Sequence, residues 1–189
     1  MKRIILYLIA ALTLSSCGYN SMVQKDENIK AAWAKVETQY QRRADLIPNI
    51  VETVKGYADF EQETLTGVIE ARSKATSIQV DPSKLTPESI AQVQAAQGEL
   101  SGALSRLLVS VERYPDLKAS SQFSQLQAQL EGTENRIAVA RDRFNESVQD
   151  YNAYIRKFPK NIVAGMFDFE QKGYFESEAG SEQAPKVDF

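Results

Sequence analysis

Residues 29–57 read IKAAWAKVETQYQRRADLIPNIVETVKGY. Apolar or aromatic side chains fall at Ile29, Trp33, Val36, Tyr40, Ile47, Ile50, Val54 and Tyr57, in steps of three and four, and Arg43 stands in the series. The stripe resumes at Leu65 and Val68, with Glu61 as a second interruption. A repeat of about 3.5 residues is the seam of a helix packed nearly parallel to its partners, as in bundles and coiled coils. Pro48 complicates this reading, because an interior proline removes a backbone hydrogen bond and crowds the preceding turn, at a cost of ~3 kcal/mol or more. The stripe keeps step across the proline, so the reading favours one long, kinked helix over a new helix capped by Asp45.

Working outward, Thr86 and Pro87 have the form of an N-cap followed by a first-turn proline. The stripe behind them runs through Ile90, Val93, Leu100, Leu104, Leu107, Val111 and Tyr114, with Gln97 at the skipped position and Pro115 as the stop. Ser120 or Ser121 can cap a third helix carrying Phe123, Leu126, Leu130, Ile137, Phe144, Val148, Tyr151, Ile155 and Phe158, closed by Pro159. Val80 to Leu85, with Asp81 and Pro82, reads as a loop. The expected fold is all-α: an antiparallel up-and-down bundle of three long helices, or four if the first is split at Pro48. Taken from Ser21 to Ile78, the first helix would be about 87 Å long against about 42 and 57 Å for the others, so part of it must overhang.

The N-terminus carries an address. Lys2 and Arg3 precede an apolar run from Ile4 to Leu14, and Leu14, Ser15, Ser16 and Cys17 follow. This order of charge, apolar core and small residues is that of a cleaved export signal. As a helix the apolar run spans about 16 Å, short of the ~30 Å hydrocarbon core. Cys17 is therefore expected to be the lipid-attachment residue of a bacterial lipoprotein, with membrane lipid as its partner. Two or three acyl chains hold firmly where one holds marginally.

The formal net charge is −3, and removing Lys2 and Arg3 with the signal leaves −5. With no basic run of five or more residues, this balance speaks against nucleic-acid binding. The chain has no histidine and one cysteine. That removes His-based triads, His-containing metal sites and, with Cys17 lipidated, thiol catalysis. No glycine-rich phosphate loop is present. Asp59, Glu61 and Glu63 are close in sequence, but on a helix their spacing scatters them. The expectation is a protein that is not an enzyme and needs no cofactor.

The run from Gln39 to Ala58, QYQRRADLIPNIVETVKGYA, resembles the signature of the LemA family. Trp33 with Val36, Val68 to Arg72, Tyr114 with Pro115 and Leu117, Leu130 to Arg141, and Tyr151 to Pro159 extend the resemblance over nearly all of the mature chain. It implies a four-helix up-and-down bundle attached to a bacterial membrane by its N-terminus, without catalytic activity or cofactor. Many members use an uncleaved transmembrane helix, and the short signal with Cys17 departs from that pattern.

Arg42, Arg43, Asp45, Asn49, Glu52 and Lys55 form the densest polar cluster. Positions 45, 49 and 52 share a helix face, so Arg42, Arg43, Asp45, Asn49 and Glu52 are the candidate partner-binding residues. The structural alternative is that Asp45 or Asn49 repairs the hydrogen bonding lost to Pro48, while Arg43 pairs with a carboxylate on a neighbouring helix. The expected segments are a signal at 1–16, a lipidated tether at 17–22, the bundle at 23–159, an aromatic segment at 160–176 folding back on the bundle, and an acidic disordered tail at 177–189. The functional expectation is an envelope scaffold or adaptor that meets membrane or envelope proteins or further copies of itself. The alternative is a bundle holding a small or lipidic ligand between its helices. Gly18, where inner-membrane retention would call for aspartate, leans the location toward the outer membrane.

Overall fold

A computed structural model describes the backbone of residues 2–56 and 61–176, and the side chains of residues 18–56 and 61–176. Among these residues there are six helices and no strand: α1 (Lys2–Lys55), α2 (Gln62–Ser77), α3 (Pro87–Val111), the single turn α4 (Pro115–Lys118), α5 (Ser121–Arg156) and α6 (Lys160–Met166). Helix α1 runs through Pro48 without interruption. The split comes instead between Lys55 and Gln62, so the 21–78 rod expected from the sequence is two helices, and the bundle has four long members. A basic residue in the last turn followed by a glycine, Lys55 and Gly56, is the usual mark of a helix C-terminus. It lies where the chain turns back.

Cross-helix contacts fix the topology. Lys25 pairs with Asp150, and Arg43 with Glu134, so α1 and α5 run antiparallel. Glu61 pairs with Arg113 and Lys74 with Glu99, so α2 and α3 do too. The stripes become the core: the apolar positions from Ile29 to Val54, from Ile90 to Val111 and from Phe123 to Ile155 are buried. Tyr57 lies outside the described residues. Phe158 is the exception, since α5 ends before it and leaves it 82% exposed. The caps form as expected: Thr86 Oγ1 accepts from Ser89 N at 3.2 Å, and Ser120 Oγ accepts from Phe123 N at 3.4 Å.

Buried apolar residues fall into two clusters. One surrounds Trp33, Phe144 and Tyr151 at the end where α1 enters from the N-terminus. The other surrounds Ile47, Leu104 and Leu130 toward the opposite end. Met22 belongs to the first, so residues 17–22, expected as a tether, are helical and already join the bundle. The segments at 1–16 and 177–189 carry expectations that lie outside the described side chains.

The 160–176 segment folds back on the first cluster. Ala164 of α6 is buried in it, and Phe175 stacks on Trp33 with ring centroids 6.1 Å apart and meets Phe144 edge-on at 5.4 Å. Such aromatic pairs each contribute about 0.5–1.5 kcal/mol beyond their area burial. Three side-chain amides clamp the extended backbone of this strap. Asn152 exchanges paired 2.9 Å hydrogen bonds with Lys172, Asn145 does the same with Phe175, and Gln94 bonds both N and O of Glu176 at 3.0 Å. The strap thereby ties α5 to α3. Gly173 N donates to Leu85 O at 2.9 Å, and a Cβ at Gly173 would lie 2.6 Å from the Pro87 Cα. Neither backbone can yield there without moving the strap. Gly173→Ala is therefore expected to lower stability by about 1–3 kcal/mol, as overpacking does. Urea denaturation checks this, and Trp33, the single tryptophan, should shift its emission as Phe175 withdraws.

Candidate interaction surface

The polar cluster around Pro48 divides into an inner and an outer part. Arg43 belongs to the inner part and is fully buried. Its Nη1 donates to Glu134 Oε1 at 2.6 Å and to Ser101 Oγ at 2.8 Å, and its Nη2 donates to the side-chain oxygen of Gln97. Its Nε is buried without a hydrogen-bond partner. The guanidinium lies 5.7 Å from the Tyr40 ring centre, and the Tyr40 hydroxyl accepts from Arg141 Nε at 2.9 Å. Burial pushes the Tyr40 phenol above its ordinary range, against the opposing charge of Arg141. Arg43 is thus not a surface residue, and its expected place in a partner-binding groove is corrected: it pairs with a carboxylate on α5.

Pro48 explains a second contact. Without an N–H at Pro48, the carbonyl of Ala44, four residues back, has no intrahelical donor. Arg72 of α2 supplies one, its Nε donating to Ala44 O at 2.8 Å. Neither Asp45 nor Asn49 makes the repair. Asp45 accepts from Gln41 Nε2 at 2.7 Å, and the backbone oxygen of Asn49 accepts from Thr53 Oγ1 at 2.7 Å. The proline therefore leaves an acceptor on α1 that helps to seat α2.

The outer part consists of Arg42, Asp45, Asn49 and Glu52, all exposed. Asn49 and Glu52 line a groove of about 490 Å³ between the end of α1 and the start of α5, opposite Gln122, Gln125 and Gln129. Arg42 and Asp45 lie outside it. Farther along the α1/α5 seam, toward the N-terminal end, is a wider groove of about 710 Å³, lined by Lys35, Arg136 and Arg143 and floored by Ala32 and Ala140. Val139 is exposed at its side, and Gln39 Oε1 is buried there without a partner. Sequence reasoning missed this groove, because its basic residues come from two distant segments. A smaller cleft of about 130 Å³ lies between α1, α2 and α3 beside Trp33, whose indole N–H is buried and unpaired. Among the described residues no three His, Cys, Asp or Glu side chains converge as a metal site would require.

Comparison with known proteins now decides the family. The LemA family pattern matches residues 32–189, which is most of the chain. The chain belongs to the LemA family. It is 27% identical over 196 residues to the magnetosome protein MamQ of Magnetospirillum gryphiswaldense, covering 93% of this chain and 71% of the relative. Protein LemA of Metamycoplasma hominis is 28% identical over 162 residues, covering 85% of this chain and 70% of its own. MamQ 1 of Paramagnetospirillum magneticum is 25% identical over 195 residues, covering 92% and 70%. None of these names is that of an enzyme.

The LemA match begins one residue before Trp33 and runs through the strap, so it spans Arg43, Pro48, Arg72 and Gly173. The coupling between Pro48 and the Arg72–Ala44 hydrogen bond in this LemA chain can be measured directly. Arg72→Ala should cost about 1–3 kcal/mol, the penalty for an unsatisfied buried acceptor. In a Pro48→Ala background, where residue 48 again donates to Ala44, the same change should cost at least ~1 kcal/mol less. A double-mutant cycle by urea denaturation reads the difference, and additive costs would refute the repair.

Proposed function

We propose that this LemA-family chain is a scaffold or adaptor of the bacterial cell envelope. Lipid on Cys17 holds it, and the outer α1/α5 seam is presented to membrane proteins or to further copies of the chain. The observation that carries this reading is the pair of open grooves along that seam, the wider one lined by Lys35, Arg136 and Arg143 beside the exposed Val139. Basic groups rimming an exposed apolar residue suit a partner that brings acidic and apolar side chains together. Among the described residues no helix is long and apolar enough to cross a membrane. The acyl anchor rests on the export-signal order of residues 2–17, and glycine rather than aspartate at position 18 leans toward the outer membrane. Relatives named for the magnetosome fit a part in an assembly better than a part in substrate turnover.

A ligand held between the helices is the weaker reading. The cleft beside Trp33 is about 130 Å³, below the ~300 Å³ at which pockets for drug-sized molecules begin, and the larger grooves lie open along the outside of the bundle.

Photo-crosslinkers placed at Val139 and Gln125 in intact cells should trap defined envelope proteins or dimers. The same probe at Ser73, an exposed α2 position that lines no groove, should trap few. Equal yields from both faces, or none from either, would overturn the scaffold reading. Cys17→Ser should move the protein at least tenfold toward the soluble fraction with its helical circular dichroism unchanged. A variant that stays in the membrane pellet would make an uncleaved N-terminal helix the anchor.

A further inference from the structure

The end of the bundle from which α1 leaves toward the N-terminus exposes large apolar side chains. Helix α6 has apolar residues on both faces. Val163 and Ala164 pack on the first core cluster, while Ile162 and Met166, four residues apart and so on one face, are 55% and 73% exposed. Phe158 before the helix and Phe167 after it are 82% and 56% exposed. Apolar side chains on both faces of a helix are stabilised where both faces are covered, and the bundle covers only one.

The position of this patch along α1 identifies what covers the other face. Tyr19 touches it, its ring centre 4.9 Å from that of Phe167 and 5.7 Å from that of Phe169. Tyr19 is two residues beyond Cys17 on the same unbroken helix, a rise of about 3 Å. Met22, one turn on, is already buried in the core, so α1 enters the bundle within two turns of position 17. Phe167, packed against Tyr19, therefore lies near the level of position 17 along α1. The rim is basic on the α5 side, where Arg156 and Lys157 are exposed and Lys160 Nζ sits 3.6 Å above the Tyr154 ring. Asp168 and Glu170 follow on the other. Aromatic and aliphatic side chains flanked by Lys and Arg have the composition of an interfacial contact with lipid headgroups.

We propose that the α5–α6 turn and α6 form a second membrane contact. Phe158, Ile162, Met166 and Phe167 enter the boundary between headgroups and acyl chains of the leaflet that holds the N-terminus. The bundle then stands upright on the bilayer, with its far end and the α1/α5 grooves projected away from the lipid. This inference rests on the membrane attachment proposed above, and its test separates the two.

The full-length chain is reconstituted into vesicles of phosphatidylcholine and phosphatidylglycerol whose acyl chains carry bromine, a contact quencher of indole fluorescence. Phe158→Trp places an indole on the patch, while the buried Trp33 of the unaltered chain serves as the internal control. The expected result is vesicle flotation, a blue-shifted emission from the introduced indole, and at least twofold quenching that the control lacks. Adding Ile162→Gln and Met166→Gln, both at exposed positions, should at least halve that quenching without changing helicity. A chain that floats with the vesicles while the introduced indole stays water-exposed and unquenched overturns the second contact alone. A chain that fails to float overturns the anchor and this contact with it. A blue-shifted indole that bromine does not quench, in a chain that crosslinks as a dimer on the vesicles, would assign the patch to a second copy and overturn the proposal.

Discussion

A single buried guanidinium sets the alignment of this bundle. Removing a charge from water costs several kcal/mol even after relaxation, so a buried arginine must meet hydrogen-bond acceptors at fixed places. Arg43 finds Gln97 and Ser101 on α3 and Glu134 on α5. Apolar side chains tolerate sliding along a seam, since one leucine substitutes for another at similar cost. The Arg43 layer does not. Moving α3 or α5 by one turn, about 5.4 Å, would strand the guanidinium beside carbon. Such polar layers fix register in helical assemblies at some cost in stability. Glu134 is half-buried, so its attraction is partly screened by water, and the neutral acceptors carry much of the specification.

The other constraints are arranged around this layer. On one side of it, Pro48 frees the Ala44 carbonyl and Arg72 takes it, which brings α2 against α1. On the other side, the strap is fastened by paired amide–backbone bonds from Asn145, Asn152 and Gln94, and Phe175 completes the aromatic cluster around Trp33. The two halves thus use different devices to join their helices. Each device works by pairing side-chain groups with backbone groups that the helices themselves leave free.

Two exposed surfaces distinguish this bundle. The seam of α1 and α5 is grooved and basic, while the end nearest the N-terminus is aromatic and aliphatic. A stiff helix connects them, so orientation at one is transmitted to the other. The interior between them is filled by interlocking side chains in two clusters.

Much of this was legible in the sequence because periodicity reports burial directly. The stripes from Ile29 to Val54, from Ile90 to Val111 and from Phe123 to Ile155 fixed the helices, the caps at Thr86 and Ser120 fixed two of their starts, and the run around Pro48 fixed the family resemblance. Arg43 in a stripe position left two readings open, a partner-binding groove and an ion pair with a neighbouring helix, and its burial against Glu134 decides for the second. The turn after Lys55 was passed over because the stripe stays in phase across it, although Gly56 marked it. What only the tertiary structure decided were the pairings: Arg72 with Ala44, the amides with the strap, Lys35 with Arg136 and Arg143 along one groove, and Tyr19 with Phe167. A local pattern says which side of a helix is buried. It cannot say which distant residue arrives there, because that depends on how far each rod extends before it turns and which neighbour meets it across the bundle.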